Sequence, residues 1–328
     1  MASPSWTQTI DSMFASTWAY RKEGATEQMY VKFPFWYWLS KKGKIKNVSG
    51  YRRLEINLEY GENETVTWLS KGGTVPLTEN ELLTVAYEDW KYVAVNILRY
   101  GIEDQQNRGA ARITDYVTRK TRRAEYALNK DFERVVFADG TGTNECNGLQ
   151  NLVSATPTTG TVHGINRATY DFFRNLQKDS SGVTSVYLLA DMRNALNTMT
   201  KYTGVDYSSI FLLTTQDVFE AYEEELLDIE KYTSSELVTG KPGGPEFQSL
   251  VFKNRPIMWA PSCPSGYMYF LNPEYLYVNI DPEFFMDMTE WKPIPDQVND
   301  RTAQILCTMQ LVCSRPVSQQ VMTGIVVG

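Results

Sequence analysis

The sequence predicts a mixed α+β protein on three observations. Apolar residues at steps of three, four and seven, namely Ile113, Val117, Ala124, Leu128, Phe132 and Val135, mark one face of a long helix. Leu54, Ile56, Leu58 and Tyr60 alternate with Arg53, Glu55, Asn57 and Glu59, the period of a strand with one wet face. From residue 160 to 282 helical and strand patterns alternate, and a strand block closes the chain.

The helix comes first because its length constrains function. Extended over residues 108–138 it would be roughly 45 Å long, far above the usual helix. It empties into a glycine-rich turn, Asp139-Gly140-Thr141-Gly142-Thr143-Asn144, followed by Asn147-Gly148-Leu149-Gln150-Asn151. No nucleotide, metal or nucleophile motif sits at either end, so the helix reads as a strut. Eight basic residues against four acidic between Arg108 and Arg134 give it a local excess of +4. Two readings stand side by side: a solvated face with i,i+4 pairs, and a basic ridge meeting an acidic neighbour.

Ahead of the helix, residues 5–22 place Trp6, Ile10, Met13, Phe14 and Trp18 on one side of an amphipathic helix that Gly24 would stop. The run Phe33-Pro34-Phe35-Trp36-Tyr37-Trp38-Leu39 follows, flanked by Lys41, Lys42, Lys44 and Lys46. Such a segment suits a partner's surface as well as its own core. A second alternating stretch, residues 92–98, is expected to pair with the first strand in a long hairpin around a polar connection at 61–80. A hairpin of this kind needs another surface for its apolar side, and that surface is expected on a neighbour.

Beyond residue 160, helices are expected at 168–178, 184–201 and 215–231, with a strand at 210–213. Lys241-Pro242-Gly243-Gly244-Pro245 is a surface loop. Strands are expected at 247–252, 256–260, 267–271, 275–280 and 302–313, with an extension near 321–327. Cys307 and Cys313, six apart, fall on one strand face.

The 328 residues, 42% hydrophobic, suffice for one large or two medium domains. Neither a leader nor a membrane-spanning run is expected. A net charge of −7 argues against a protein whose main task is to grip DNA or an anionic membrane. Cys146, Cys263, Cys307 and Cys313 form no CxxC pair, and His163 is the only histidine, so metal and triad chemistry are unsupported. His163, in a Gly160-Thr161-Val162-His163-Gly164 loop, reads as a satisfied structural residue. Gly140-Thr141-Gly142 fits no phosphate-binding pattern. Glu223-Glu224-Glu225 reads as an exposed helix edge, and Asp281, Glu283 and Asp287 lack the spacing of a calcium loop. Neither an enzyme nor a cofactor is therefore expected.

The order of parts resembles the major capsid protein of tailed bacteriophages, the Johnson fold. The resemblance rests on the aromatic arm, the hairpin, the long helix and the turn ending in Asn147-Gly148-Leu149-Gln150-Asn151-Leu152. It continues in Gly164-Ile165-Asn166-Arg167-Ala168-Thr169-Tyr170, Phe172-Phe173-Arg174-Asn175 and Met268-Tyr269-Phe270-Leu271-Asn272. It implies an N-terminal arm at 1–46, an extended loop at 47–100, a peripheral domain with a spine helix at 101–159 and 283–328, and an axial domain at 160–282. It further implies hexamers and pentamers closing into an icosahedral shell around double-stranded DNA, which is touched weakly and without sequence preference. Partners would be the chain itself, a portal, and separate scaffolding or decoration proteins, in a virion assembled in the host cytoplasm, with no membrane. Contact candidates between subunits are then Trp6, Phe14, Trp18, Phe35, Trp36, Trp68, Lys71, Arg119, Arg122 and Arg123. Some members crosslink through a loop lysine and a neighbour's asparagine; Lys71 and Asn299 are suitable types but match loosely, and a solvated lysine is the simpler reading. An encapsulin-like shell with protein cargo and a soluble carboxylate-dependent hydrolase are the alternatives.

Overall fold

The computed structural model describes residues 34–50, 52–61, 65–75, 77, 81–106, 116–142, 144–181, 188–203, 210–230, 250–253, 255–297 and 299–326. The expected helix at 5–22, with Trp6, Phe14 and Trp18, and the Lys241–Pro245 loop lie outside these residues. The chain divides into two compact units. One comprises the described residues of 93–132 and 283–307; the other comprises those of 34–92, 133–282 and 308–326.

The elements begin with α1 (Pro34–Lys41), β1 (Ile45–Asn47), β2 (Arg53–Glu59), β3 (Leu83–Asp89), β4 (Lys91–Arg99), α2 (Gly101–Gln106) and α3 (Tyr116–Val136). They continue with α4 (Leu149–Leu152), β5 (Thr161–Val162), β6 (Ile165–Asn166), β7 (Leu176–Asp179), α5 (Leu188–Thr203), β8 (Phe211–Thr214) and α6 (Gln216–Glu230). The last are β9 (Leu250–Phe252), β10 (Arg255–Trp259), β11 (Met268–Leu271), β12 (Leu276–Met288), β13 (Lys292–Pro293), β14 (Arg301–Cys313) and β15 (Gln320–Thr323).

The second unit is built on a six-stranded sheet ordered β7-β15-β11-β8-β10-β9. Its central strands β8, Phe-Leu-Leu-Thr, and β11, Met-Tyr-Phe-Leu, are buried at every position. Continuous burial means that both faces are covered, which is why these strands show no alternation. On one face Leu212, Ile257, Met268, Phe270 and Met322 pack with Met192, Leu196 and Met199 of α5 and with Val218 and Tyr222 of α6. The residues of opposite parity meet other partners. Trp38 of α1 stacks on Phe211 with ring centroids 4.4 Å apart, and Phe137 lies 6.3 Å from Tyr269. Fully burying one such side chain is worth about 1.5–3 kcal/mol, so Phe35, Trp38 and Leu39 of the aromatic run are core residues of their own chain.

Turns in this unit are pinned by side chains. Arg167, almost fully buried, donates to the carbonyls of Asn151 (2.8 Å) and Leu152 (2.5 Å) at the end of α4. Burial pushes its guanidinium down to about 10. Arg174 donates to the carbonyls of Arg167 (2.7 Å) and Ala168 (2.8 Å), and Asn175 exchanges hydrogen bonds with the backbone of Ser154 (3.0 and 2.9 Å). These bonds overturn the helix expected at 168–178. The segment is a 3-10 turn at Asp171–Phe173 followed by β7, because side-chain bonds to backbone carbonyls compete with helical ones. Gly148 has a steric reason: a Cβ there would lie 2.1 Å from the carbonyl oxygen of Ala138, just past α3.

The hairpin is corrected as well. β2 pairs antiparallel with β3, from Arg53 opposite Asp89 to Glu59 opposite Leu83, whereas β4, the stretch expected to close it, pairs with β14. The apolar side of the hairpin, Leu54, Ile56, Leu58 and Ala86, is buried within its own chain rather than reserved for a neighbour.

In the first unit, α3 is helical from Tyr116, with residues 107–115 outside the described ones; its 21 residues span about 30 Å. Ala124, Leu128 and Phe132 are buried as the stripe predicts, and Phe132 stacks on Phe285. Lys120 bonds Glu103 (2.8 Å) and the Leu98 carbonyl (2.9 Å), and the Gly101 amide donates to Asp300 (2.8 Å). β12 runs on to Met288, eight residues past its expected end at 280, and Cys307 accepts the Met286 amide at 3.3 Å.

Candidate assembly interface

The hairpin is held at its root. β5 and β6 are joined by His163-Gly164, both at positive φ (50° and 78°), the two-residue arrangement of a primed hairpin turn. Gly164 tolerates this without a Cβ penalty, whereas His163 is held there by its bonds. The Cys313 amide donates to His163 Nε2 (3.2 Å), so the ring proton sits on Nδ1 and is donated to Glu88 Oε2 of β3 at 2.7 Å. Glu88 Oε1 accepts from Gln310 Nε2 (2.9 Å), and Gln310 Oε1 accepts the Asn147 amide (3.1 Å). His163 is therefore the satisfied structural residue expected, and it ties the hairpin to β14.

Beyond the root the hairpin changes character. Residues 65–75 carry no regular secondary structure, and their apolar side chains face solvent: Trp68 is fully exposed (102%), Val66 is 83% exposed, and Leu69 and Val75 are about half exposed. Leu77 is 98% exposed. Lys71 lies among them, exposed, and is the one charged residue of 65–75. On the outer face of β3, Leu83, Val85 and Tyr87 are also exposed. Exposed apolar side chains gathered in this way mark an interaction site. Sequence reasoning read residues 61–80 as merely polar; the signal it passed over is the alternation Thr65-Val66-Thr67-Trp68.

The other candidates fall out as follows. Phe35 is fully buried in its own chain, which makes it a core residue rather than a contact, and Trp36 beside it is half-buried. Arg122 and Arg123 are exposed on α3, and Arg119 is half-buried with partners of its own. The helix residues and the hairpin lie in different units. Glu223 and Glu224 form an exposed helix edge; Glu225 is partly buried, accepts the Leu189 amide (3.2 Å), and is pushed above the usual carboxylate range by burial. The four cysteines are buried free thiols, those of Cys263 and Cys313 pushed up by burial. Among the described residues no cluster of acidic, cysteine or histidine side chains fits a metal ion, and no helix is long and apolar enough to cross a membrane.

No family model and no curated sequence matches the chain. Solved structures do. The capsid subunit of cyanophage A-1(L) superposes with a TM-score of 0.71 at 16% identity, covering 92% of this chain and 95% of that one. The capsid of Myoviridae phage XM1 gives 0.58 at 11% identity, covering 92% and 95%. The holo-SrpI encapsulin of Synechococcus elongatus gives 0.56 at 10% identity, covering 94% of each chain. The chain thus has the capsid-shell fold of tailed bacteriophages, the Johnson fold, as the resemblance implied.

Proposed function

We propose that this chain is the structural subunit of a closed shell: many copies assemble through hexamers and pentamers into an icosahedral capsid that encloses double-stranded DNA. One observation carries the reading. A capsid-shell fold holds out a hairpin end whose apolar side chains, Trp68 foremost, have no cover in the isolated subunit. Ring-forming shells need such heterologous surfaces, one patch meeting a different patch on the next copy. In this reading residues 1–46 are the arm, 47–100 the extended loop, 101–159 with 283–328 the peripheral domain and 160–282 the axial domain. Arg122 and Arg123 contact a neighbour's acidic surface, a portal and separate scaffolding or decoration proteins act in assembly, and the protein has no catalytic task. The place of action is the virion, built in the host cytoplasm. A net charge of −7 suits a wall from which packaged DNA must stay free.

The encapsulin likeness supports a second reading, a shell with protein cargo. The contents discriminate. Particles recovered from cells that naturally make this chain, treated with nuclease and then opened, are expected to release protected double-stranded DNA. Particles holding a protein cargo and no DNA would move the assignment to the second reading.

A further inference from the structure

The free edge of β3 and the exposed end of the hairpin complement each other. In the β2–β3 ladder the Tyr60 amide bonds the Leu82 carbonyl (3.1 Å), whereas the Tyr87 amide turns away from β2 to the His163 carbonyl (3.0 Å). Antiparallel alternation then points the amides of Val85 and Leu83 outward too. Among the described residues β3 pairs with no strand except β2, so the outer edge at these two residues is open. Alongside it lies a cavity of about 290 Å³. One wall is aromatic: Tyr60 stacks on Phe172 at 4.6 Å, and Tyr170 meets Phe172 edge-on at 5.9 Å. Leu83 and Val85 line it as well, and Glu81 is its one acidic group.

Residues 65–75 have the matching chemistry. Val66 and Trp68 alternate with Thr65 and Thr67, a β-prone pattern, and Lys71 supplies a single positive charge. In the isolated subunit Trp68 is fully exposed, so the hairpin end does not fill its own chain's cavity.

We propose that residues 65–75 of a second copy of this chain add as an extended strand to the open edge of β3, with Trp68 seated in the aromatic cavity and Lys71 against Glu81. The occupant is a second copy because strand, socket and opposite charges are all encoded once per chain. Backbone bonds to Leu83 and Val85 give the register, and the indole gives specificity. Knob and socket are different patches, so the contact is head-to-tail and builds rings rather than closed dimers. The inference rests on the shell reading and adds its contact.

Two chains test it, one carrying Lys71→Cys and the other Glu81→Cys; the native cysteines are all buried and do not interfere. Assembled together and mildly oxidised, they are expected to give a disulfide-linked dimer that neither variant gives alone. Particles that form without this crosslink overturn the contact and leave the shell reading standing. A wild-type chain that forms no particles even with its scaffolding partner supplied overturns both. Val85→Pro is the second variant: it removes only the outward amide, which the ladder to β2 does not use. It is expected to stay folded and lose assembly, and Val85→Pro particles in wild-type yield contradict the proposal.

Discussion

A chain in which residues 61–81 are replaced by Asn-Gly is expected to fold normally and to form no particles. The replacement keeps the whole β2–β3 ladder and closes it with a turn that primed hairpins favour. The described side chains removed, among them Trp68 and Leu69, contribute no core burial, so the stability change at each is within about 0.5 kcal/mol. The root is untouched, because the Glu88–His163 bond and the buried side of Leu54, Ile56 and Leu58 lie below the cut. Assembly, by contrast, loses the exposed apolar side chains of Val66, Trp68, Leu69, Val75 and Leu77. Calorimetry of the variant should show a cooperative transition near the wild-type temperature, and sedimentation a single subunit-sized species. Normal particles from this variant would show that the hairpin end serves only its own subunit. Arg122→Glu with Arg123→Glu, read in the same assay, separates the two views of the helix. Like charges at a partly dry contact cost several kcal/mol of association, and a solvated face costs about half a kcal/mol at each site.

Glu133 is expected to make the fold less stable as pH rises. Glu133 is buried, 1% exposed, and neither carboxyl oxygen has a hydrogen-bond partner among the described residues. Burial pushes it up to about 8, with the Phe35 amide opposing. The sign follows from linkage. Below the unfolded value of about 4.5 both states hold the proton; above it the unfolded chain ionises first, and stability falls until the folded group also ionises near pH 8. Between pH 5 and 8 the loss from this group is roughly 3–4 kcal/mol. Glu133→Gln removes that slope, because the amide does not titrate. Denaturant unfolding of wild type and variant at pH 5, 6.5 and 8, in the hairpin-shortened background to keep assembly out of the measurement, should give curves that diverge with pH. Parallel curves would mean that Glu133 ionises as an ordinary carboxylate.

Periodicity revealed some parts of this fold and missed others for definite reasons. β2 and the buried stripe of α3 each have one wet face, and their alternation is written in the chain. β3 carries no such signal, because Thr84, Glu88 and Asp89 dilute its apolar pattern, and the cleaner alternation of β4 points to the wrong partner for β2. The false helix at 168–178 has plausible spacing, but Arg167, Arg174 and Asn175 spend their side chains on backbone carbonyls, a long-range choice that local pattern does not contain. The same holds for the candidate site. Trp68 and Lys71 were legible as residue types, whereas the socket beside β3 assembles Tyr60, Glu81 and Phe172 from distant segments and exists only once the chain has folded. The motif stretches behind the resemblance proved to be turn pins such as Arg167 and Asn175, which is why they report on fold more than on chemistry.

Electron microscopy of the purified full-length chain, with scaffolding partner supplied and across a range of salt, tests the central claim most directly. The account predicts closed shells of uniform diameter, with sixfold and fivefold clusters of subunits on their surface. A field of monomers or small oligomers under all these conditions would contradict it.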